Sequence, residues 1–153
     1  MEFMKMAIEE AKKGMAAGDG GPFGAVIVKN GKVIGTGHNM VFRNTDPTAH
    51  AEVTVIRNTC KEIGTFDLSG CQLYTSCYPC PMCMGAALWS RVDAIYYGAT
   101  SQDAAHVGFG DHEFHDFLKD PKTDEKRKLE QLKAENYLEP FEKWTEKTDR
   151  VSY

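Results

Sequence analysis

The stretch Gln72-Leu73-Tyr74-Thr75-Ser76-Cys77-Tyr78-Pro79-Cys80-Pro81-Met82-Cys83, followed by Ala94-Ile95-Tyr96-Tyr97-Gly98, decides the fold. Gln72-Leu73-Tyr74-Thr75 reads as a strand. Pro79 and Pro81 then mark the entry to a helix, because proline lacks an amide hydrogen and fits the first helical turn, where none is needed. That helix is predicted to run toward Ser90, and the β-branched and aromatic run at Ala94–Gly98 reads as the next strand. Strand and helix alternate, so the economical architecture is a layered α/β sheet covered by helices.

Upstream, Phe3, Met6, Ala7, Glu10, Ala11 and Met15 repeat at helical spacing until Gly18, which predicts an amphipathic first helix. Ala25–Lys29 and Lys32–Thr36 flank Asn30-Gly31, the pair best suited to the positive φ values of a tight hairpin turn. A second helix is expected to begin at Asp46-Pro47, with Asp46 as cap, to bury Val53, Ile56, Cys60 and Ile63, and to end at Gly64. Beyond Thr100 the periodicity weakens: the charged run 124–135 is ambiguous between helix and edge strand, whereas Glu139–Thr148 reads as a short helix carrying Phe141 and Trp144. There is no internal repeat and no low-complexity segment.

A chain of 153 residues fits one domain with a real core, so residues 1–153 are expected to form a single unit. No apolar run approaches the ~20 residues of a membrane helix. The N-terminus lacks the apolar block of a secretory signal, and five cysteines, three of them spaced three apart, suit a reducing compartment. The cytoplasm is the expected location. A net charge of −4, with the basic cluster Lys126-Arg127-Lys128 flanked by Asp124, Glu125 and Glu130, argues against a nucleic-acid-binding face.

The chemistry concentrates in His50-Ala51-Glu52 and Pro79-Cys80-Pro81-Met82-Cys83. Two cysteines at this spacing beside a helix start place two sulfurs around one point, where polarised amides favour thiolates. An imidazole from the start of the preceding helix, His50, completes three ligands for one Zn²⁺ and leaves the fourth tetrahedral position for water, the mark of a catalytic site. Zinc lowers the pKa of bound water from ~15.7 to about 7. Glu52, two residues from His50, can aim its carboxylate at that water and carry protons without ligating the metal.

His-x-Glu followed by Pro-Cys-x-x-Cys resembles the signature of the zinc-dependent base deaminases. The likeness extends over nearly the whole chain, through Gly21-Pro22-Phe23-Gly24-Ala25-Val26-Ile27-Val28, Asp46–Val53, Tyr74–Cys77, Asp103-Ala104-Ala105 and Gly108-Phe109. Within the cytidine-deaminase-like superfamily the chain is most similar to the bacterial guanine deaminase family. That resemblance implies a three-layer α/β/α fold with a central five-stranded mixed sheet, residues 128–133 forming the fifth strand. It also implies a homodimer in which the segment from about 118 to 153 is exchanged. By the same likeness His50, Cys80 and Cys83 hold the zinc and Glu52 is the proton shuttle. Asn39 hydrogen-bonds the purine, Ala51 borders it, and Phe23, Trp89 and Phe109 wall the pocket. Asp111 reads the guanine amino group and takes part in proton movement, and Tyr153 closes over the ring. Tyr78, where many relatives carry glutamate, and Gly110, at the first position of an acidic pair, depart from the family pattern.

Plainer roles also fit several of these residues. Phe23 and Trp89 suit a core, Asn39 a turn, Asp111 a helix cap, and His38, His106, His112 and His115 surface or structural positions. Cys60 and Cys71 suit buried apolar sites. Other functions share parts of the pattern: deamination of guanosine or another aminated ring, deamination of adenosine in tRNA, or a structural metal or iron–sulfur protein built on Cys77-x-x-Cys80-x-x-Cys83. The last lacks a fourth cysteine in the run and leaves Glu52 without a task.

Overall fold

The computed structural model describes all residues, 1–153. Four strands form one mixed sheet in the order β2-β1-β3-β4, with β1 (Gly24–Lys29), β2 (Lys32–His38), β3 (Cys71–Cys77) and β4 (Ala94–Ala99). β1 pairs antiparallel with β2 and β3, and β3 pairs parallel with β4. The parallel pair needs a crossover, supplied by helix α4 (Pro81–Trp89). Asn30 and Gly31, at φ 51° and 71°, make the tight turn that their sequence predicts.

Both faces of the sheet are covered, as a three-layer α/β/α fold requires. Alternation along β1 sends Val26 and Val28 to helix α1 (Glu2–Ala16), where they pack on Ala7 with Phe3 and Met6 around them. Ala25 and Ile27 point the other way, into a core shared with Leu68, Leu73, Ala87 of α4, and Ala51, Val55 and Ile56 of helix α3 (Ala51–Ile63). Gly24 has a steric role: a Cβ there would fall on the backbone of Ala7 and Ala11 in α1. The first helix therefore lies close on the sheet only because residue 24 has no side chain.

Helix α3 starts later than its sequence predicts. Asp46 accepts from the Thr48 amide at 2.8 Å and its hydroxyl at 2.7 Å, closing a local turn in place of a cap. His50, extended at φ −65° and ψ 160°, becomes the residue before the helix, and a short helix α2 (Val41–Asn44) precedes the turn. Gly64, at φ 72°, ends α3 as expected.

After β4 come α5 (Ser101–His106), α6 (His112–Lys119) and α7 (Glu139–Glu146). A reciprocal capping box between Thr100 and Asp103 starts α5, a local signal that the weak periodicity conceals. The sheet has four strands where the resemblance implies five, because residues 128–133 form no strand in the single chain. Leu129 and Leu132 are exposed, and β4 pairs on one side only. Exchange of the C-terminal segment is not shown.

Gly24→Ala is expected to lower the unfolding free energy by about 1–3 kcal/mol, the usual range for forcing extra volume into a packed interior. A urea unfolding curve with an unchanged midpoint would contradict the close helix–sheet contact.

Candidate active site

Two helices of the same layer begin at the site. His50 immediately precedes α3 and Cys80 immediately precedes α4, each in an extended conformation that turns its side chain off the helix end. Cys83 follows one turn into α4 and is fully buried. His50 Nδ1 lies 3.5 Å from the Sγ of Cys80 and 3.5 Å from that of Cys83, and the three donor atoms fall within 4.8 Å of one another. For tetrahedral zinc with Zn–S of about 2.3 Å and Zn–N of about 2.05 Å, a sulfur-to-nitrogen edge is about 3.5 Å. The donor set and spacing therefore fit zinc.

The electrostatics suit a cation. The hydrogen bond given by Cys83 pulls the Cys80 thiol down to about 4, helped by His50. Cys83, as donor to that thiolate and as a buried group, is pushed up. The hydrogen bond to Cys80 raises His50. The group thus carries thiolate charge at Cys80, and the backbone amide of Cys83 in the first turn of α4 adds to the pull on it.

Glu52, in the first turn of α3, is 5% exposed and accepts a hydrogen bond from Thr75 Oγ1 at 2.9 Å. Burial pushes its carboxyl up, against the hydrogen bonds from its own backbone amide and the Thr75 hydroxyl. Thr75 carries no metal-binding or catalytic motif, yet the alternation along β3 puts Leu73, Thr75 and Cys77 on one buried face, a signal that points it at the same layer.

His50, Glu52 and Cys80 open into a cavity of about 670 Å³. Phe23 and Phe109 meet in its wall edge to face, with ring centroids 5.0 Å apart. Asn39 is buried there: its Oδ1 accepts from the amides of Gly21 at 3.3 Å and Val41 at 3.1 Å, which leaves Nδ2 as the free polar end. Asn39 is thus both a turn residue and a cavity residue. Asp111 lines the cavity as well, and its carboxylate faces His115 Nε2 at 3.2 Å without capping α6. The two departures from the family pattern, Tyr78 and Gly110, also line it.

The structure does not bring every expected residue here. Ala51 is packed in the core beside the site and contributes no wall. Trp89 and Tyr153 lie together elsewhere on the chain, 5.9 Å apart, with Tyr153 also 6.3 Å from Phe66. Conversely, one wall comes from Phe114, Phe117 and Leu118 of α6, which sequence reading missed although they recur at helical spacing.

Residues 1–99 match the cytidine and deoxycytidylate deaminase zinc-binding region. Guanine deaminase of Bacillus subtilis is 45% identical over 151 residues, 99% of this chain and 97% of that one. Its X-ray structure superposes with a TM-score of 0.95. A structure of guanine deaminase from Nitrosomonas europaea is 34% identical, with a TM-score of 0.67 over 71% of this chain and 63% of that one. A tRNA-specific adenosine deaminase of Bacillus subtilis is 46% identical, but over 97 residues, 63% of this chain and 60% of that one.

Two outcomes follow from the site's chemistry. Cys80→Ala is expected to leave far less than one zinc per chain by elemental analysis, since two protein ligands hold the ion weakly. A carboxyl raised by burial permits full stability below its ordinary value of 4.5 and loses it as pH climbs toward the folded value. In chelator-treated protein Glu52→Gln, which cannot ionise, is therefore expected to melt higher than the wild type at neutral pH. The gap should close in acid. A lower melting temperature at neutral pH would refute the buried-carboxyl penalty.

Proposed function

This chain belongs to the cytidine and deoxycytidylate deaminase zinc-binding family, and from that premise we propose that it hydrolyses guanine to xanthine and ammonia. One observation carries the choice of substrate. The zinc-binding region ends at residue 99, whereas the cavity is completed by Phe109, Asp111 and α6, and the likeness to a guanine deaminase runs through all of them. The likeness to the Bacillus subtilis tRNA enzyme covers 63% of the chain, against 99% for the guanine deaminase. A net charge of −4 adds no basic track for RNA.

His50 Nδ1 and the two sulfurs of Cys80 and Cys83 would hold the zinc. When bound, the metal supplies Lewis-acid activation of the water that attacks the aminated ring carbon. Glu52 performs the proton transfers: its carboxylate takes one proton from the attacking water and passes it to the neighbouring ring nitrogen, then takes the second from the hydroxyl now on the ring carbon and delivers it to the departing amine. The water oxygen replaces the amino group, so guanine and water become xanthine and ammonia. The Thr75 hydroxyl holds one carboxylate oxygen of Glu52 and leaves the other to act. Phe23 and Phe109 grip the ring, Asn39 Nδ2 donates to a purine acceptor, and the Asp111 carboxylate receives the guanine amino group.

The chain acts as one domain and works as a pair. β4 has an open edge, and Tyr137, Leu138, Phe141, Trp144 and Tyr153 are exposed together in the C-terminal segment. We place this segment, from about 118 to 153, on a second copy, where Tyr153 closes over the ring in the partner's site. All five cysteines are free, which fits a reducing cytoplasm. No helix is long and apolar enough to cross a membrane.

Ammonia release measured across guanine, guanosine, adenine, adenosine, cytosine and cytidine, with and without chelator, is expected to be fastest on guanine and to vanish with the metal. Faster release from guanosine or from tRNA would overturn the substrate. Glu52→Ala should retain zinc and lose about 10²–10⁴ in turnover, the usual worth of a positioned proton carrier.

A further inference from the structure

Outside the cavity the chain carries a compact group of charges that the chemistry above does not use. His38, at the end of β2, directs Nε2 at Asp19 Oδ2, 2.9 Å away, and Nδ1 at Glu10 Oε2, 3.3 Å away. Each ring nitrogen therefore faces one carboxylate, so the imidazole is held from both sides. Arg43 of α2 meets the other oxygen of Asp19 at 3.2 Å. Glu10 also pairs with Lys13 of α1 at 3.4 Å. The side chains of His38 and Asp19 are 15% and 9% exposed, so the pair is largely withdrawn from water.

Burying such a group is expensive, and an apolar contact of equal volume is commonly as stable. The backbone around it suggests what the group does. Asp19, Gly20 and Gly21 run alongside His38 and Asn39: the Asp19 side chain meets His38, Gly20 packs so tightly on Asn39 that a Cβ would overlap its amide, and the Gly21 amide donates to Asn39 Oδ1. The Asp19 carbonyl accepts from the amides of Phe42 and Arg43, at 3.0 and 3.1 Å, fixing the segment beyond Asn39 as well. Helix α1 makes room for the ring. Gly14 faces it, and a Cβ at that position would overlap the imidazole. Glycine inside a helix is a local disadvantage relative to alanine, tolerated here where the ring enters.

We propose that His38, held between Glu10 and Asp19, is a positioning residue that sets the separation of the 19–21 and 38–41 segments and thereby aims the Asn39 amide at the substrate. The inference rests on the reading that Asn39 contacts the purine. His38 touches no substrate and acts through its neighbours.

The test is a double-mutant cycle on the zinc-loaded protein with guanine as substrate, using His38→Gln, Asn39→Ala and the pair. His38→Gln is expected to raise KM roughly tenfold, near the value of one substrate hydrogen bond, with kcat changed less than about twofold. Zinc content should stay near wild type, while the melting temperature falls because Asp19 and Glu10 lose a largely buried partner. In the Asn39→Ala background the same change should add less than about twofold to KM, because its route to the substrate is already cut. Asp19→Asn, which keeps the ring and removes the charge, should reproduce the KM effect if His38→Gln folds poorly. An unchanged KM in both His38→Gln and Asp19→Asn, or effects of His38 and Asn39 that multiply independently, overturns the proposal while leaving the Asn39 contact intact. An Asn39→Ala enzyme with wild-type KM overturns the contact itself, and the positioning role with it.

Discussion

Two helices of one layer begin at a single point, and the site depends on that convergence. The crossover from β3 to β4 fixes where α4 starts, and the hairpin with its following turn fixes where α3 starts. Because His50 and Cys80 each stand just before a helix, their side chains project from adjacent helix ends into the same volume. The partial positive charge of those ends then favours sulfur in its ionised form. Shifting either helix start by one residue would turn its ligand away by about 100°.

The same arrangement explains why the interior of this layer is not wholly apolar. Glu52 is buried in the layer that also holds the apolar core, burial opposes its charge, and Thr75 is the neutral partner that keeps it hydrogen-bonded. A protein selected for stability alone has no use for a carboxyl in that position. Its presence is intelligible when the group must exchange protons with something in the cavity.

Much of the fold is legible in the sequence, but unevenly. The Asn30-Gly31 turn, the Gly64 stop and the proline-marked start of α4 are local signals, and the structure follows them. The start of α3 is misread because Asp46 has two local uses, cap or turn, and the Thr48 hydroxyl decides for the turn. Zinc-donor positions are legible because ligand chemistry demands particular residue types at fixed spacing. Walls are not, since any apolar side chain serves: Trp89 and Tyr153 suit a pocket by type but lie apart from it, while Phe114 and Phe117 of α6 line it. Beyond Thr100 local pattern fails for a further reason: the C-terminal helix α7 leaves Phe141 and Trp144 exposed and makes few contacts with its own chain. Periodicity reports the burial a residue achieves, and here little is achieved within one copy.

The low value at Cys80, about 4, also governs the protein before any metal arrives. Cys80 meets a divalent ion already as the anion, whereas Cys83, held as the thiol, gives up its hydrogen when the ion binds, so loading stays sensitive to acidity. The same anion is the form that attacks peroxide, breaking its O–O bond to give the sulfenic acid. Metal occupancy therefore doubles as armour, and an emptied chain is marked for oxidative damage at the residue on which its chemistry is built.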